Sequence, residues 1–256
     1  MKNSNPAISI IMNCHNCQSF LRESLDSVIL QTYQDWEVIF WDNASSDESA
    51  EIIRSYNNLK INYYRTEELV PLYTARNLAL EKCKGKYISF LDCDDVWLQD
   101  KLSLQIKEVE KGAKIVYGGY DVINEKGVLL KKFSYNLPSG RITNKLFNKN
   151  YISIGCILIK RELLLTERFD DRYDLMGDMD LWIRLSLVND FHVVPKTLEY
   201  SRIHDSNTSK NLSHKWLFEK RMLYRKILKI SAMNILKYPW FIYFIFKTEL
   251  LGLVRK

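Results

Sequence analysis

Residues Tyr87–Trp97 read YISFLDCDDVW. The apolar run Tyr87–Leu91 has strand length, and it runs directly into Asp92, Cys93, Asp94 and Asp95. A short apolar run bounded by a turn signal reads as a buried strand, and open α/β sheets place their ligands outside the carboxyl ends of strands. Alternation along an extended chain would turn Asp92 and Asp94 to the same side. Carboxylates so close repel one another and raise each other's pKa unless a cation lies among them. Hard oxygen ligands suit Mg²⁺ or Mn²⁺, and Mg²⁺ usually binds through one or two carboxylates plus substrate phosphates. The plainer reading, a helix cap for the segment starting near Gln99, uses one acid and leaves the others unexplained.

Outward from this stretch, strand-like and helix-like segments alternate. Ala7–Asn13 and Trp36–Trp41 read as strands before it, with a helical pattern through Phe20, Leu21, Leu25, Val28 and Ile29 between them. Asp47–Tyr56 then reads as a helix with Ser46 or Asp47 as its cap, Ile61–Tyr64 as a strand and Tyr73–Lys82 as a helix. Gln99–Glu110 is helical and stops at Gly112. This alternation implies βαβ units and a mainly parallel sheet with helices on both faces. The second half is mixed. Lys114–Ile123 and Val128–Phe133 flank the hairpin signal Asn124–Gly127, Cys156–Lys160 resumes as a strand, and Met179–Val188 reads as a helix. Loops lie between Phe133 and Ile154, and His192–Val194 and Leu198–Ile203 read as two short strands around Pro195. The expected organisation is one α/β domain over residues 1–209 and a helical extension over 210–256.

Composition is consistent with that plan. Of 256 residues 46% are apolar, enough for a large core, and the net charge of +6 suits an anionic partner without naming one. Eight Lys or Arg residues against the single acid Glu219 crowd Lys210–Lys237, and the apolar run Tyr238–Phe246 follows. That run is broken by Lys247 and Glu249 and falls short of the roughly 20 residues a spanning helix needs. It reads either as a helix on an anionic membrane surface or as one packed on the domain or on a second subunit. Five cysteines without repeating spacing suit reduced thiols in the cytosol. Cys14-His15-Asn16-Cys17 has the spacing of half a zinc site, but the sequence offers no second pair to complete it. The polar start, Met1–Pro6, lacks the apolar core of a signal peptide.

Four further segments carry candidate chemistry. Asp42 and Asn43 end the second strand, within reach of a nucleobase edge. Arg76 lies in the helix before the acidic strand and suits a base or a diphosphate, or simple pairing with an acid. Asp178, in GDMDLWIRL, is a candidate general base, although a helix cap explains it too. Arg202 and His204 alternate on one face of the last strand, an arrangement suited to diphosphate contact.

Taken together, ISIIMNCHN, SLDSVILQTYQDWEVIFWDNASSD, ARN, FLDCDDVW, GDMDLWIRL and YSRIH resemble, in order, the motifs of the family 2 glycosyltransferases, inverting enzymes of GT-A (Rossmann-like) fold. The resemblance covers nearly all of Ala7–Ser209. It implies a nucleotide-sugar donor, with UDP the usual nucleotide, a glycan or lipid-linked acceptor in surface polysaccharide synthesis, Mn²⁺ or Mg²⁺ as cofactor and no nucleic-acid partner. It implies a cytoplasmic enzyme, peripheral on the inner membrane face if its C-terminal helices meet lipid, or dimeric if they meet a second copy. By position, Asp42 and Asn43 resemble the uracil-binding pair and Arg76 a nucleotide-holding residue. Asp92 and Asp94 resemble the DxD motif that contacts ribose and metal, with Asp95 adjacent. Asp178 matches the catalytic base, and Arg202 and His204 match positions near the diphosphate. Three departures stand out: Gly177 replaces the usual acid before Asp178, Asn43 replaces an Asp, and Asn13-Cys14-His15-Asn16 stands where Pro-Thr-Tyr-Asn is common. ISFLDCDDV also fits a phosphatase pattern in which Asp92 would be the nucleophile and Asp94 its acid/base. A relative that binds nucleotide-sugars without turnover is the non-enzyme alternative.

Overall fold

The computed structural model of the chain describes residues 5–133 and 136–231. Its strands are β1 (Ile8–Cys14), β2 (Trp36–Asn43), β3 (Ile61–Thr66), β4 (Tyr87–Phe90), β5 (Val96–Trp97), β6 (Ile115–Asn124), β7 (Leu129–Lys132), β8 (Ile157–Lys160) and β9 (His192–Ile203). They form one sheet in the order β3-β2-β1-β4-β8-β6-β9-β5, with β7 on β6. The β3-β2-β1-β4 half is parallel, whereas β8 runs antiparallel to both β4 and β6. The helices are α1 (Leu21–Ile29), α2 (Ser49–Ser55), α3 (Leu72–Lys82), α4 (Lys101–Glu110), α5 (Thr143–Asn148), α6 (Arg161–Thr166), α7 (Gly177–Val188), α8 (Thr208–Asn211) and α9 (Trp216–Ser231).

Alternation along the parallel strands produces a core on each face. Ile8, Ile10, Met12, Val38 and Phe40 pack with Leu21, Leu25 and Val28 of α1 and with Leu102 and Ile106 of α4. Ile11, Ile39, Trp41, Ile88 and Phe90 point the other way, into a cluster with Ala75 and Ala79 of α3 and Trp182 of α7. A polar knot sets where β4 begins. The buried Glu37 carboxylate accepts from the Ser9 hydroxyl at 2.6 Å and the Lys84 N–H at 2.8 Å. The Gly85 N–H in turn donates to Ser9 Oγ, and a Cβ at Gly85 would meet Ser9 N at 2.4 Å. Only glycine lets the chain pass this close to β1 on its way to the acidic turn.

Two expectations change. His192–Ile203 is a single strand, not two: its register against β6 slips between Gly118 and Gly119, so that Pro195 and Lys196 bulge out. Pro195 has no N–H to give, and β5 pairs only with Glu199 and Tyr200, leaving this end of β9 an edge where proline is tolerated. The stretch Phe133–Ile154, read as loop, also contains α5, which packs on α7 and buries Leu146 and Phe147.

The described part of the C-terminal extension packs on the domain. In α9, Leu223, Tyr224 and Ile227 join the core cluster around Trp182. The buried Glu219 carboxylate receives the N–H groups of Asp174, Leu175 and Met176 at 2.9–3.0 Å, the donors just ahead of α7. A carboxylate there satisfies orphan donors and complements the helix dipole. The run Tyr238–Phe246 lies outside the described residues. Among the described residues, no helix is long and apolar enough to cross a membrane.

Glu219→Ala should lower unfolding free energy by roughly 3 kcal/mol, because buried donors lose their acceptor. Urea denaturation checks this, with Glu219→Gln expected to recover part of the loss.

Candidate active site

β4 ends at Phe90, and residues 91–95 turn rather than extend, with Asp95 N–H donating to the Asp92 carbonyl at 3.1 Å. The three acids therefore take different partners. Asp92, 39% exposed, accepts from Arg76 Nη2 at 2.7 Å. Asp94 accepts from Asn207 Nδ2 at 3.1 Å and lies 2.8 Å from His204 Nε2. Burial, and then the Asp92 charge, push the Asp94 carboxyl above its usual range. Neither Asp94 nor Asp95 caps α4, whose cap position is Asp100.

Asp95 turns inward. It is buried, accepts the Arg202 backbone N–H at 2.7 Å, and lies against Glu199. Burial and the Glu199 charge raise Asp95 far above the usual range, and burial raises Glu199 as well. The two carboxyl groups thus lie close together behind the turn, each pushed toward its neutral form. Glu199 also accepts from Ser153 Oγ and Cys156 Sγ, and its carboxylate occupies the space a Cβ at Gly155 would need. Nearby, the buried Lys101 donates to Ser89 and Gln105, and burial lowers its ammonium to about 7. This polar layer supports the turn from beneath. Nothing in the sequence separates it from ordinary strand and helix pattern.

Arg202 serves the same scaffold. Its guanidinium is buried, donating to the Asp94 carbonyl at 2.8 Å, the Asn124 and Glu125 carbonyls, and the Glu23 carboxylate at 2.6 Å. It lies over the Phe20 ring, and His204 packs against the same ring. Arg202 therefore ties α1, the acidic turn and the β6–β7 hairpin together. His204 is held in place by Ser206 and Asn207.

Asp42 and Asn43 are inside the protein too. Asp42 is fully buried and accepts from Ser45 N–H, Tyr63 hydroxyl and Arg65 Nη1. The Asn43 amide spans the Val70 backbone, donating to its carbonyl at 2.8 Å and accepting its N–H at 3.0 Å. This pairing holds the segment leading into α3, and with it Tyr73 and Arg76.

Asp178 lies in the first turn of α7, half-buried, and accepts the Met179 N–H. Burial raises its carboxyl to about 6, while the nearby Arg76 guanidinium pulls the other way. Arg76 is thus the link between Asp92 and Asp178. It is buried between the Tyr73 and Phe169 rings, which stack at 5.5 Å. The same Tyr73 ring accounts for Gly177, where a Cβ would meet ring carbons at 2.6–2.7 Å. The missing acid is therefore a packing consequence: no side chain fits between α7 and Tyr73. Asp180, by contrast, is fully buried and paired with Arg184 and Lys226, a structural role.

A parallel half-sheet ending in an acidic turn, continued by a mixed half that brings in a second acid, is a GT-A-type architecture. Consistent with it, the Staphylococcus aureus TarS 1-349 structure in complex with UDP-GlcNAc aligns with a TM-score of 0.70 at 18% identity, over 86% of this chain and 66% of that one. Residues 9–166 match the family model "Glycosyl transferase family 2". The chain belongs to that family and is a glycosyltransferase. It is 31% identical over 217 residues to the Escherichia coli UDP-Glc:alpha-D-GlcNAc-diphosphoundecaprenol beta-1,3-glucosyltransferase WfgD, covering 82% of this chain and 83% of that protein. It is 29% identical to the putative teichuronic acid biosynthesis glycosyltransferase TuaG of Bacillus subtilis, over 91% and 93% of the two chains. Family membership replaces the phosphatase reading of the same acids.

Gly177→Glu should lower stability by about 1–3 kcal/mol through overpacking. In a cycle with Tyr73→Leu the two changes should couple by at least about 1 kcal/mol, because removing the ring relieves the clash. Strictly additive melting data would refute the packing account.

Proposed function

We propose that the enzyme moves a sugar from a nucleotide-sugar, with UDP as the nucleotide, to a hydroxyl of a glycan or lipid-linked acceptor during surface polysaccharide synthesis, inverting the anomeric centre. The observation that carries this reading is the Asp92–Arg76–Asp178 arrangement: one carboxylate in an acidic turn, a buried arginine, and a second carboxyl raised to about 6. The relatives' names agree with it, since WfgD is named for a UDP-Glc donor and a diphosphoundecaprenol-linked acceptor.

In this reading Asp178 takes the proton of the acceptor hydroxyl as that oxygen attacks the anomeric carbon from the face opposite the leaving diphosphate. A carboxyl raised by burial is a better base than an ordinary aspartate, and the charge of nearby Arg76 favours its ionised form. Asp94 with Asp92 would hold Mn²⁺ or Mg²⁺. The donor set fits, because both groups offer hard oxygens and Asp94 is half-buried beside a like charge that a cation would offset. When bound, such an ion supplies positive charge against the departing nucleoside diphosphate. Arg76 orients Asp92 toward the ribose side, and His204 fixes the Asp94 carboxylate beside the diphosphate. Arg202 and Asp95 act by positioning, through the Asp94 carbonyl and the Arg202 N–H. Asp42 and Asn43 shape the floor for the base. Asn43 keeps one amide hydrogen beyond the one given to Val70. A lipid-linked acceptor would place the reaction at the cytoplasmic membrane face, where the basic stretch Lys210–Lys237 would meet anionic headgroups.

Nucleoside diphosphate release from a panel of nucleotide-sugars, with Mn²⁺, Mg²⁺ or EDTA, tests the donor half. Release should be metal-dependent, confined to one donor, and lost in Asp94→Asn; metal-independent release would refute the role given to Asp92 and Asp94. The base has its own signature. The working form of Asp178 is ionised, so kcat should be flat above pH about 6 and fall tenfold per unit below it. Asp178→Asn should cost roughly 10²–10⁴-fold in kcat and abolish that acid limb, with donor binding changed only a few-fold. Retention of the limb in Asp178→Asn would assign the base elsewhere.

A further inference from the structure

Cys14 ends β1, Cys17 lies three residues on in the turn before α1, and Cys93 sits between Asp92 and Asp94. These thiols are remote in sequence, yet their three sulfurs lie within 4.8 Å of one another. Cys14 and Cys93 are each 1% exposed and Cys17 is half-buried. Their other neighbours are neutral oxygens: Ser45 Oγ at 3.7 Å from Cys14, the His15 carbonyl at 3.6 Å from Cys17, and the Asn13 carbonyl at 3.4 Å from Cys93. From sequence the pair Cys14–Cys17 lacked partners; the fold supplies a third sulfur from the strand that carries the acids.

We propose that Cys14, Cys17 and Cys93 form a site for a thiophilic d¹⁰ cation, Zn²⁺, separate from the oxygen-rich site at Asp92 and Asp94. The spacing is right on two counts. Cys-x-x-Cys is the usual chelating pair of zinc sites, and a Zn–S bond of about 2.3 Å puts tetrahedral thiolates about 3.8 Å apart. Closing from 4.8 Å or less to that separation needs only sub-ångström shifts of each sulfur. A disulfide would use two of the three sulfurs and leave the convergence of the third unexplained. Among the described residues no fourth His, Cys or carboxylate joins the group, so a solvent molecule completes the tetrahedron. Binding releases the thiol protons, and the metal then staples the β1 turn to the acidic turn through Cys93. The site is a structural clamp on the loop that presents Asp92 and Asp94. This inference does not depend on the sugar-transfer reading, since it concerns sulfur chemistry on the opposite side of the same turn.

The test uses the full chain, kept reduced with a phosphine under anaerobic conditions and stripped with a chelator. Co²⁺ is the probe, because thiolate ligation gives an intense sulfur-to-cobalt charge-transfer band that carboxylate ligation does not. One equivalent of Co²⁺ should produce the band, one equivalent of Zn²⁺ should abolish it, and excess Mg²⁺ should leave it unchanged. Zn²⁺ should also shield three of the five thiols from a thiol reagent and raise the melting temperature. Cys17→Ser, at the most exposed of the three positions, should keep the wild-type circular dichroism while weakening Co²⁺ at least tenfold. Asp94→Asn should retain the band. The proposal is overturned if no band forms in the reduced wild type, if Cys17→Ser binds as tightly, or if Zn²⁺ leaves all thiols equally reactive.

Discussion

The concentration of negative charge at the end of β4 is the constraint that organises this molecule. Asp92, Asp94 and Asp95 occupy one turn, and isolated carboxylates there would neutralise themselves by taking up protons. The fold answers each one differently. Asp92 is met by a buried arginine, Asp94 by a histidine and an amide, and Asp95 by the Arg202 backbone N–H. Each answer recruits a different element: α3, the segment after β9, and β9 itself. The parallel half supplies the arginine, and the mixed half supplies the groups that meet Asp94 and Asp95. What is left over, two carboxylates partly open to solvent, is the charge available for a ligand.

The same logic ties Asp178 to the far end of the described chain. Asp178 depends on where α7 begins, and α7 begins where Glu219 of α9 collects the Asp174, Leu175 and Met176 N–H groups. On its other side α7 is pressed against Tyr73, whose ring leaves no space for a side chain at 177. Tyr73 and Phe169 also enclose Arg76. One aromatic pair therefore sets the position of Asp178, the identity of the residue before it, and the burial of the arginine that links it to Asp92.

Much of the parallel half was legible because buried strands alternating with amphipathic helices leave a periodic trace, and β1, β2, β3 and β4 fall within a few residues of the expected ranges. The location of the acids at a carboxyl edge followed from the same pattern. Their directions did not. Alternation predicts a common face for Asp92 and Asp94, but alternation requires extended backbone, and the strand stops at Phe90. Likewise Arg202 carries the same charge whether it faces a diphosphate or Glu23 and three carbonyls, and composition holds no record of which. Glu199 was invisible because a buried acid in a strand is recognisable only once its partner, Asp95, is placed opposite it.

The Asn43 amide shows why substitution within a motif can be quiet. An aspartate at this position could accept the Val70 N–H but would face the Val70 carbonyl with a second negative oxygen. The amide supplies a donor there and closes a two-bond pairing, at 2.8 and 3.0 Å, between the end of β2 and the approach to α3. The exchange removes a charge from the floor of the cleft and gains a fixed backbone contact. That contact holds the segment delivering Tyr73 and Arg76, so a change that reads as the loss of an acid acts as support for the acidic centre.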